Sequence, residues 1–392
     1  MSKKNKVEGD ALLNIGRMLT DELNKHYKNS DNKAYFLGEE EEAVSSVTDF
    51  VSTGCTPLDY AIANRRNGGI PVGRITEIYG LEGSGKSLLA AHLTKSTQQK
   101  GGQVVYIDTE SAVSKEFFSA IGVDLDRLIL IPLSAIEDIF ETIEKVIHSF
   151  REKSKDIPLT IIVDSIMGAT TKKEFESDYQ KDGYATDKSI IISKAMRKMT
   201  NFVGIKKVTL VFTNQLRINL NAGPFSPDKY ITSGGKAIPF AASVRIRLKR
   251  VGKIPTQGTE LLGYKTEATI DKNRLGPPKR KVNYSIYFSR GMDDIDSILE
   301  ALVDYNIISK TGAWNSFTYK DKVTGEKHDT IKFQNKDFVD LVFSDPLYNE
   351  YLLDELEKAM VIPYDPDSTF EKISYQEDSS KPLDADSILD FD

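Results

Sequence analysis

The strongest constraint on how this chain can fold is the octet Gly80-Leu81-Glu82-Gly83-Ser84-Gly85-Lys86-Ser87. It fits the pattern G-x-x-x-x-G-K-[ST] and stands between segments of opposite character. Arg74-Ile75-Thr76-Glu77-Ile78-Tyr79 reads as a strand, and Leu88 to Gln98 reads as a helix. In a strand–turn–helix unit of this kind, glycines let consecutive backbone N–H groups curl around phosphate oxygens. The helix N-terminus adds the positive end of its dipole. Lys86 is placed to reach the β- and γ-phosphates, and the Ser87 hydroxyl to ligate Mg²⁺. A chance match would require both flanking elements to be coincidental as well.

The segments that follow extend the same architecture. Val104 to Asp108 reads as a second strand, Ile139 to Phe150 as a helix, and Thr160 to Asp164 as a third strand. A helix from Ile190 to Asn201 precedes a fourth strand, Val208 to Thr213. Near-continuous apolar strands separated by helices predict a mostly parallel sheet covered on both faces, an α/β fold. Three later runs, Ala241 to Leu248, Lys265 to Asp271 and Val282 to Phe288, lack long helical spacers and predict an antiparallel extension at one edge. Helices over Asp293 to Asn306, Lys336 to Phe343 and Pro346 to Ala359 predict a small α-rich C-terminal domain. At the other end, Leu12, Ile15, Leu19 and Leu23 form one stripe of a helix. The run Glu39 to Glu42 then reads as a solvated connector. Such a helix docks either on its own core or on a neighbouring subunit. The expected divisions are a helical arm and linker over 1–50, an ATPase-like core over 51–290, a small domain over 291–360 and an acidic disordered tail over 361–392.

Composition removes several function classes. A single cysteine, Cys55, excludes an intrachain disulfide and any multi-cysteine metal site, and four scattered histidines argue against zinc. With 40% hydrophobic and 28% charged residues the chain is not globally disordered. The polar N-terminus and the lack of an apolar run of about 18 residues predict a cytosolic protein without a membrane segment. The net charge of −6 is unevenly spread: Tyr364 to Asp392 carry nine acids against Lys372 and Lys381, a net of −7 that leaves +1 for the rest. A slightly basic body with an acidic tail occurs in nucleic-acid binders, although an ordinary solvated C-terminus has the same composition.

Other residues carry candidate chemistry. Asp164 ends a buried apolar run, where an ionised carboxylate needs a partner such as Mg²⁺ beside Ser87; it could instead cap a following helix. Glu110 and Asp108 both lie near the end of the second strand, and either could polarise a water for in-line attack on a γ-phosphate. Gln215 follows the fourth strand, at the root of a long Gly-, Pro- and Ser-bearing stretch from Leu216 to Gly235. An amide there can sense the γ-phosphate and order the stretch, as a nucleotide-dependent switch does. A second such stretch, Thr170 to Asp187, leads into Ser193-Lys194-Ala195-Met196-Arg197-Lys198. Together with Arg245, Arg247, Lys249, Arg250 and Lys279-Arg280-Lys281, these basic residues suit a phosphate backbone, though each cluster alone also suits a solvated face.

Taken in order, these segments resemble the bacterial RecA recombinase family, including its phage-encoded relatives of the UvsX type. The similarity spans about Val51 to Trp314. It is carried by Ser52-Thr53-Gly54, Leu58-Asp59, Gly73 to Gly80, Tyr106-Ile107-Asp108-Thr109-Glu110, Val163-Asp164-Ser165 and Ala195-Met196-Arg197-Lys198. Asn214-Gln215-Leu216-Arg217, Gly234-Gly235-Lys236-Ala237 and Gly312-Ala313-Trp314 complete the set. The resemblance implies a RecA-like P-loop core and a DNA-dependent ATPase that forms helical filaments on single-stranded DNA, with homologous pairing and strand exchange of duplex DNA. It implies ATP and Mg²⁺, held by Gly80, Glu82, Gly83, Ser84, Gly85, Lys86, Ser87 and Leu88, with Phe117 stacked on adenine and Asp164 on the metal. Ser114 stands where the family usually has an acid. Glu110 would activate water, Gln215 would sense the γ-phosphate, and Lys272 and Arg274 would reach the nucleotide of the adjacent protomer. Ser193, Arg197, Arg217, Gly234, Gly235 and Lys236 would lie along DNA. Single-strand-binding and mediator proteins are implied partners, in a bacterial or phage-infected cytosol. A ring-shaped hexameric helicase and a small-molecule kinase use the same phosphate loop and are the alternative readings.

Overall fold

The protein is described as a computed structural model over residues 3–28, 34–36, 47–175, 184–219, 230–232, 234–255, 260–321 and 324–363. Ten strands form the main sheet: β1 (Ile75–Gly80), β2 (Gln103–Asp108), β3 (Leu128–Pro132), β4 (Leu159–Asp164), β5 (Val208–Ile218), β6 (Tyr230–Thr232), β7 (Val244–Pro255), β8 (Leu261–Asn273), β9 (Lys281–Tyr287) and β10 (Gly291–Asp293). Their order across the sheet is β10-β9-β8-β7-β1-β5-β4-β2-β3, with β6 paired to the end of β5. The pairs from β7 through β1, β5, β4 and β2 to β3 are parallel. The pairs from β7 through β8 and β9 to β10 are antiparallel. The expected parallel core and antiparallel wing are both present. Strand β3 is not among the expected strands; on this edge Ile129 and Leu130 are half exposed, while Leu128 and Ile131 pack against the two cores.

The apolar strands feed two cores, one on each face of the sheet. In β2, Val104 and Tyr106 join one cluster while Val105 and Ile107 join the other; in β4, Ile162 opposes Ile161 and Val163. Because side chains alternate between faces, a strand buried on both sides must be apolar at every position. The first face is covered by helices Thr56–Ala63, Lys86–Gln99 and Asp294–Asp304, the second by helices Ile136–Lys153 and Tyr184–Ile205. The helix Tyr184–Ile205 begins six residues before the expected start at Ile190.

The C-terminal part holds more than helices. Beside helices Asp294–Asp304 and Pro346–Met360 lies a three-stranded antiparallel sheet of Ser309–Thr311, Trp314–Lys320 and Lys327–Gln334. Phe317, Tyr319 and Phe333 turn inward onto Tyr351 and Leu352, continuous with the first core. Val339 to Phe343, within the expected helix Lys336 to Phe343, forms one wide π-type turn. The N-terminal helix spans Lys3–His26, and Ile15, Leu19 and Leu23 of its stripe are exposed, as are Leu13 and Met18. Among the described residues, Ile15, Leu19 and Leu23 therefore do not pack on the chain's own core. The acidic tail lies outside the described residues.

A buried histidine makes stability pH-dependent. His92, in the helix after the phosphate loop, accepts the Met292 N–H at 2.9 Å through Nε2. Burial, followed by repulsion from Lys95, pushes its pKa down to about 4. An unfolded histidine titrates near 6.5, so between these values the unfolded chain binds more protons and stability falls as pH falls. Buried Asp59, pushed up to about 7 by its own desolvation, works in the opposite direction. Only a His92 variant isolates the first effect. His92→Gln is expected to lose about 2 kcal/mol less stability than the parent between pH 6.5 and 4.5, measured by urea unfolding at both pH values.

Candidate functional site

The site forms where the parallel strands end. In register, Gly80 of β1 pairs with Gln215 of β5, and Asp108 of β2 pairs with Asp164 of β4. Strand ends around a reversal in strand order are where α/β sheets bind ligands. Residues 81–85 turn from β1 into the helix Lys86–Gln99, with Gly83 at φ 66° and Gly85 at φ 98°. These left-handed values suit glycine. Gly80 is required for a different reason: a Cβ there would lie 2.4 Å from the Leu248 carbonyl oxygen and 2.5 Å from Ser84 Oγ.

The octet's side chains divide by role. Lys86 Nζ donates to the Leu81 and Gly80 carbonyls at 3.0 and 3.4 Å, folded back over the loop. Burial lowers its pKa, against the opposing pull of Asp164, Glu110 and Glu82. Ser84 Oγ is buried with no hydrogen-bond partner among the described residues, a polar atom left for a ligand oxygen. Glu82 and Ser87 are exposed. The Leu88 side chain is buried in the core, so only its amide can face a phosphate.

Asp164 is held rigidly. Tyr106 Oη donates to its Oδ2 at 2.6 Å and Thr213 Oγ1 donates to its Oδ1. Burial, and then the Asp164 charge, raise the Tyr106 pKa, keeping this phenol a donor. The residues after Asp164 form a turn rather than a helix, so the capping alternative is not realised. Two uncharged donors orient the carboxylate, and the Lys86 charge acts on it from the phosphate loop. An oriented carboxylate of this kind fits a divalent cation, with the Ser87 hydroxyl as the other candidate ligand.

Asp108 and Glu110 separate clearly. Asp108 is buried and accepts the Glu110 and Val113 N–H groups at 3.0 and 3.2 Å, so it builds the turn. Glu110 is exposed beyond the strand end, and its Oε1 accepts from Ser165 Oγ. Phe117 is half-buried on the helix Lys115–Ile121, beside Phe118. Ser114 caps that helix by accepting the Phe117 N–H at 3.2 Å, a role a serine fills as well as an acid does.

Lys272 and Arg274 lie at the opposite end of the sheet. Lys272 pairs with Arg245 and Asn273 with Val244, which in turn pairs with Thr76 at the start of β1. Gly80 is a further four residues along, about 13 Å at 3.3 Å per residue. Lys272 Nζ donates to the Pro239 and Phe240 carbonyls, both at 2.8 Å. Burial and then Arg274 and Arg245 lower its pKa. Neither residue is brought to its own chain's phosphate loop.

The DNA candidates gather around the helix Tyr184–Ile205. Ser193 and Arg197 lie one turn apart on it, and Arg197 is exposed. Gly234, at φ 86°, approaches Ile192, and Gly235, at φ 68°, approaches Ser189. Arg217 is exposed near the end of β5, and exposed Lys236 precedes the helix Ala237–Ala241. Residues 176–183, 220–229 and 233 of the two long stretches lie outside the described residues. The basic run in β7 proves not to be a free cationic face: Arg245 pairs with buried Glu77 at 2.6 Å and Arg247 with Asp271 at 3.1 Å. Arg250 donates to the Gly83 carbonyl of the phosphate loop and stacks on Tyr264. Lys279 also binds Asp271, at 2.9 Å. Sequence reasoning missed Tyr106, Thr213 and Ser165; the signal was a polar side chain near the end of an otherwise apolar strand.

No described helix is long and apolar enough to cross a membrane. The family model of the RecA N-terminal domain matches residues 18–293. Protein RecA of Clostridium acetobutylicum is 33% identical over 293 residues, covering 75% of this chain and 80% of the relative. Protein RecA of Chlamydia felis is 31% identical over 334 residues, covering 85% and 88%, and that of Clostridioides difficile is 33% identical over 300 residues, covering 76% and 82%. The chain therefore belongs to the RecA family, DNA-dependent ATPases that act on DNA as filaments in recombination and repair.

Proposed function

We propose that one ATP is shared between successive copies of this chain in a filament on single-stranded DNA, and that its presence orders the DNA-gripping stretches for pairing and strand exchange. The observation that carries this reading is the sheet register. Lys272 and Arg274 sit at the end of the sheet remote from their own phosphate loop, so they serve a nucleotide only on a neighbouring copy. The exposed apolar stripe of the N-terminal helix supplies a surface for that neighbour. This chain would pair as a homo-oligomer, with single-stranded and duplex DNA, and with single-strand-binding and mediator proteins as further partners in a bacterial or phage-infected cytosol.

Each residue then has a task. The loop amides and Lys86 hold the triphosphate, with Gly80, Glu82, Gly83, Ser84, Gly85 and Leu88 shaping the cradle and Phe117 flanking the base. Ser87 and Asp164 would hold Mg²⁺, which supplies charge neutralisation on the phosphates. Glu110 accepts the proton of the attacking water, since Asp108 is committed to the turn. Gln215, opposite Gly80, reads the γ-phosphate at the root of the second stretch. Ser193, Arg197, Arg217, Gly234, Gly235 and Lys236 face the DNA backbone, where small residues and cations suit close approach to phosphates. We assign 1–50 as the assembly arm, 51–290 as the ATPase core, 291–360 as the small domain and 361–392 as the acidic tail that competes with DNA.

Lys86→Ala removes a charge-assisted contact to phosphate, so ATP affinity should fall by roughly 10- to 100-fold. ATP-dependent tightening on a fluorescent single strand should then disappear; tightening that persists would reject the loop as the driver. Lys272→Ala/Arg274→Ala should lower DNA-stimulated hydrolysis by at least about 10²-fold while ATP binding changes little. Mixing this double variant with the Lys86→Ala protein, each inactive alone, should restore part of the turnover. A kinase acting as a monomer would restore none. Deleting Pro382 to Asp392 removes four aspartates. Duplex DNA affinity should rise at low salt and return to the parent's value as salt screens the field, read by a salt titration.

A further inference from the structure

Lys188 is a charged residue that the site described above does not use. It lies on the first turns of the helix Tyr184–Ile205, which carries Ser193 and Arg197. Its Nζ donates to two backbone carbonyls in the turn after β4, Met167 at 3.0 Å and Ala169 at 2.5 Å. A lysine so placed gives up hydration, and burial lowers its pKa. Glu174, at the base of the first long stretch, and Arg217, at the base of the second, are the charges that act on it most strongly; one raises and the other lowers the pKa. The carbonyls it binds lie in the turn that leads from β4 into the first stretch.

The turn that Lys188 holds is in direct contact with Glu110. Ser165 Oγ donates to Glu110, and the Gly168 N–H in turn reaches Ser165 Oγ at 3.4 Å. Thr109 locks the same turn twice, accepting the Ser165 N–H at 3.0 Å and donating to the Ser165 carbonyl at 2.7 Å. Packing leaves no slack, since a Cβ on Gly168 would lie 2.9 Å from Glu110 Cγ and 2.7 Å from Thr109 Oγ1. A shift of the helix would pull on the Met167 and Ala169 carbonyls and displace the turn against Glu110. We infer that Lys188 is a positioning residue that couples DNA contact on this helix to the orientation of Glu110, a route separate from Gln215 on β5. The inference rests on the proposed roles of Glu110 as proton acceptor and of the Ser193–Arg197 face as a DNA contact.

The test uses the full chain and its Lys188→Met and Lys188→Arg variants, with ATP hydrolysis followed with and without a single-stranded oligonucleotide. Methionine keeps the aliphatic stem and removes every donor; arginine restores charged donors. The expected result for Lys188→Met is basal hydrolysis within about twofold of the parent, an unchanged KM for ATP and unchanged oligonucleotide affinity. DNA-stimulated kcat should drop about tenfold, and Lys188→Arg should recover most of it. Equal stimulation in Lys188→Met and parent would overturn the coupling role. A proportional fall in basal and stimulated rates would do the same, since it marks a structural residue. If Lys188→Met does not fold, Lys188→Arg decides: stimulation restored to parental levels with basal rate unchanged supports the role, and a parallel loss of both rates rejects it. A parent that hydrolyses ATP but gains nothing from DNA would sink the proposed function itself, and this coupling with it.

Discussion

The arrangement of the whole site depends on one buried charge pair in the middle of the sheet. Glu77 of β1 is fully buried and accepts from Arg245 of β7 at 2.6 Å and from Asn214 of β5 at 3.0 Å. Arg245 also stacks 4.4 Å from the centroid of the Tyr79 ring. Three neighbouring strands are thereby pinned by one carboxylate. Two of them, β1 and β5, deliver the phosphate loop and Gln215; the third, β7, carries the antiparallel wing. A buried pair of this type adds little net stability against a well-packed apolar replacement, because desolvation offsets most of the attraction. Its value is in register. A slipped strand would leave a desolvated carboxylate or guanidinium without its partner, which costs about 3–5 kcal/mol.

Register matters here because the proposed chemistry is divided between two ends of one sheet. Strand β8 is tied to β7, and β7 to β1, so the distance from the loop at Gly80 to Lys272 and Arg274 is fixed by ladder hydrogen bonds rather than by flexible side chains. Under the proposed roles of Lys272 and Arg274, a subunit built this way would complete its nucleotide site only when copies stack in one direction. The exposed stripe on the N-terminal helix follows the same logic: a helix that leaves Ile15, Leu19 and Leu23 uncovered has placed its apolar face where a second chain can bury it.

What could be read from the sequence is what local physics determines. The octet, the apolar runs and their helical spacers gave the parallel core, because a strand buried on both faces cannot hide its composition. Gly80 was legible only through the octet motif, since the Leu248 carbonyl that excludes a side chain there belongs to β7, far away in the chain. The edge strand β3 was not legible, being an apolar run of only five residues, nor was the C-terminal sheet, where inward Phe317 and Tyr319 alternate with less buried positions over a short span. The basic cluster of β7 misled for a different reason. Arg247 looks free in the sequence, and Asp271, the residue that neutralises it, lies in another strand; the pairing exists only after β8 folds back on β7.

The site divides along the same line. Lys86, Ser87 and Asp164 are marked by motif and strand end; strand position and the family resemblance already favour Glu110 over Asp108, and three dimensions add a physical reason. Both are acids near one strand tip, and only the N–H groups of Glu110 and Val113 folding onto Asp108 commit that residue to structure. The remaining acid is the one in contact with Ser165 and Gly168, and hence with the turn that Lys188 grips. The group proposed to handle the water is therefore also in contact with the turn that the helix Tyr184–Ile205, the proposed DNA-facing helix, holds through Lys188. With Glu110 as the proposed proton acceptor, sensitivity of that kind is well placed in an enzyme whose hydrolysis awaits a polymer: a small displacement of Glu110 would change the rate while the nucleotide stays bound, because the proposed contacts of the phosphate loop are made by other residues.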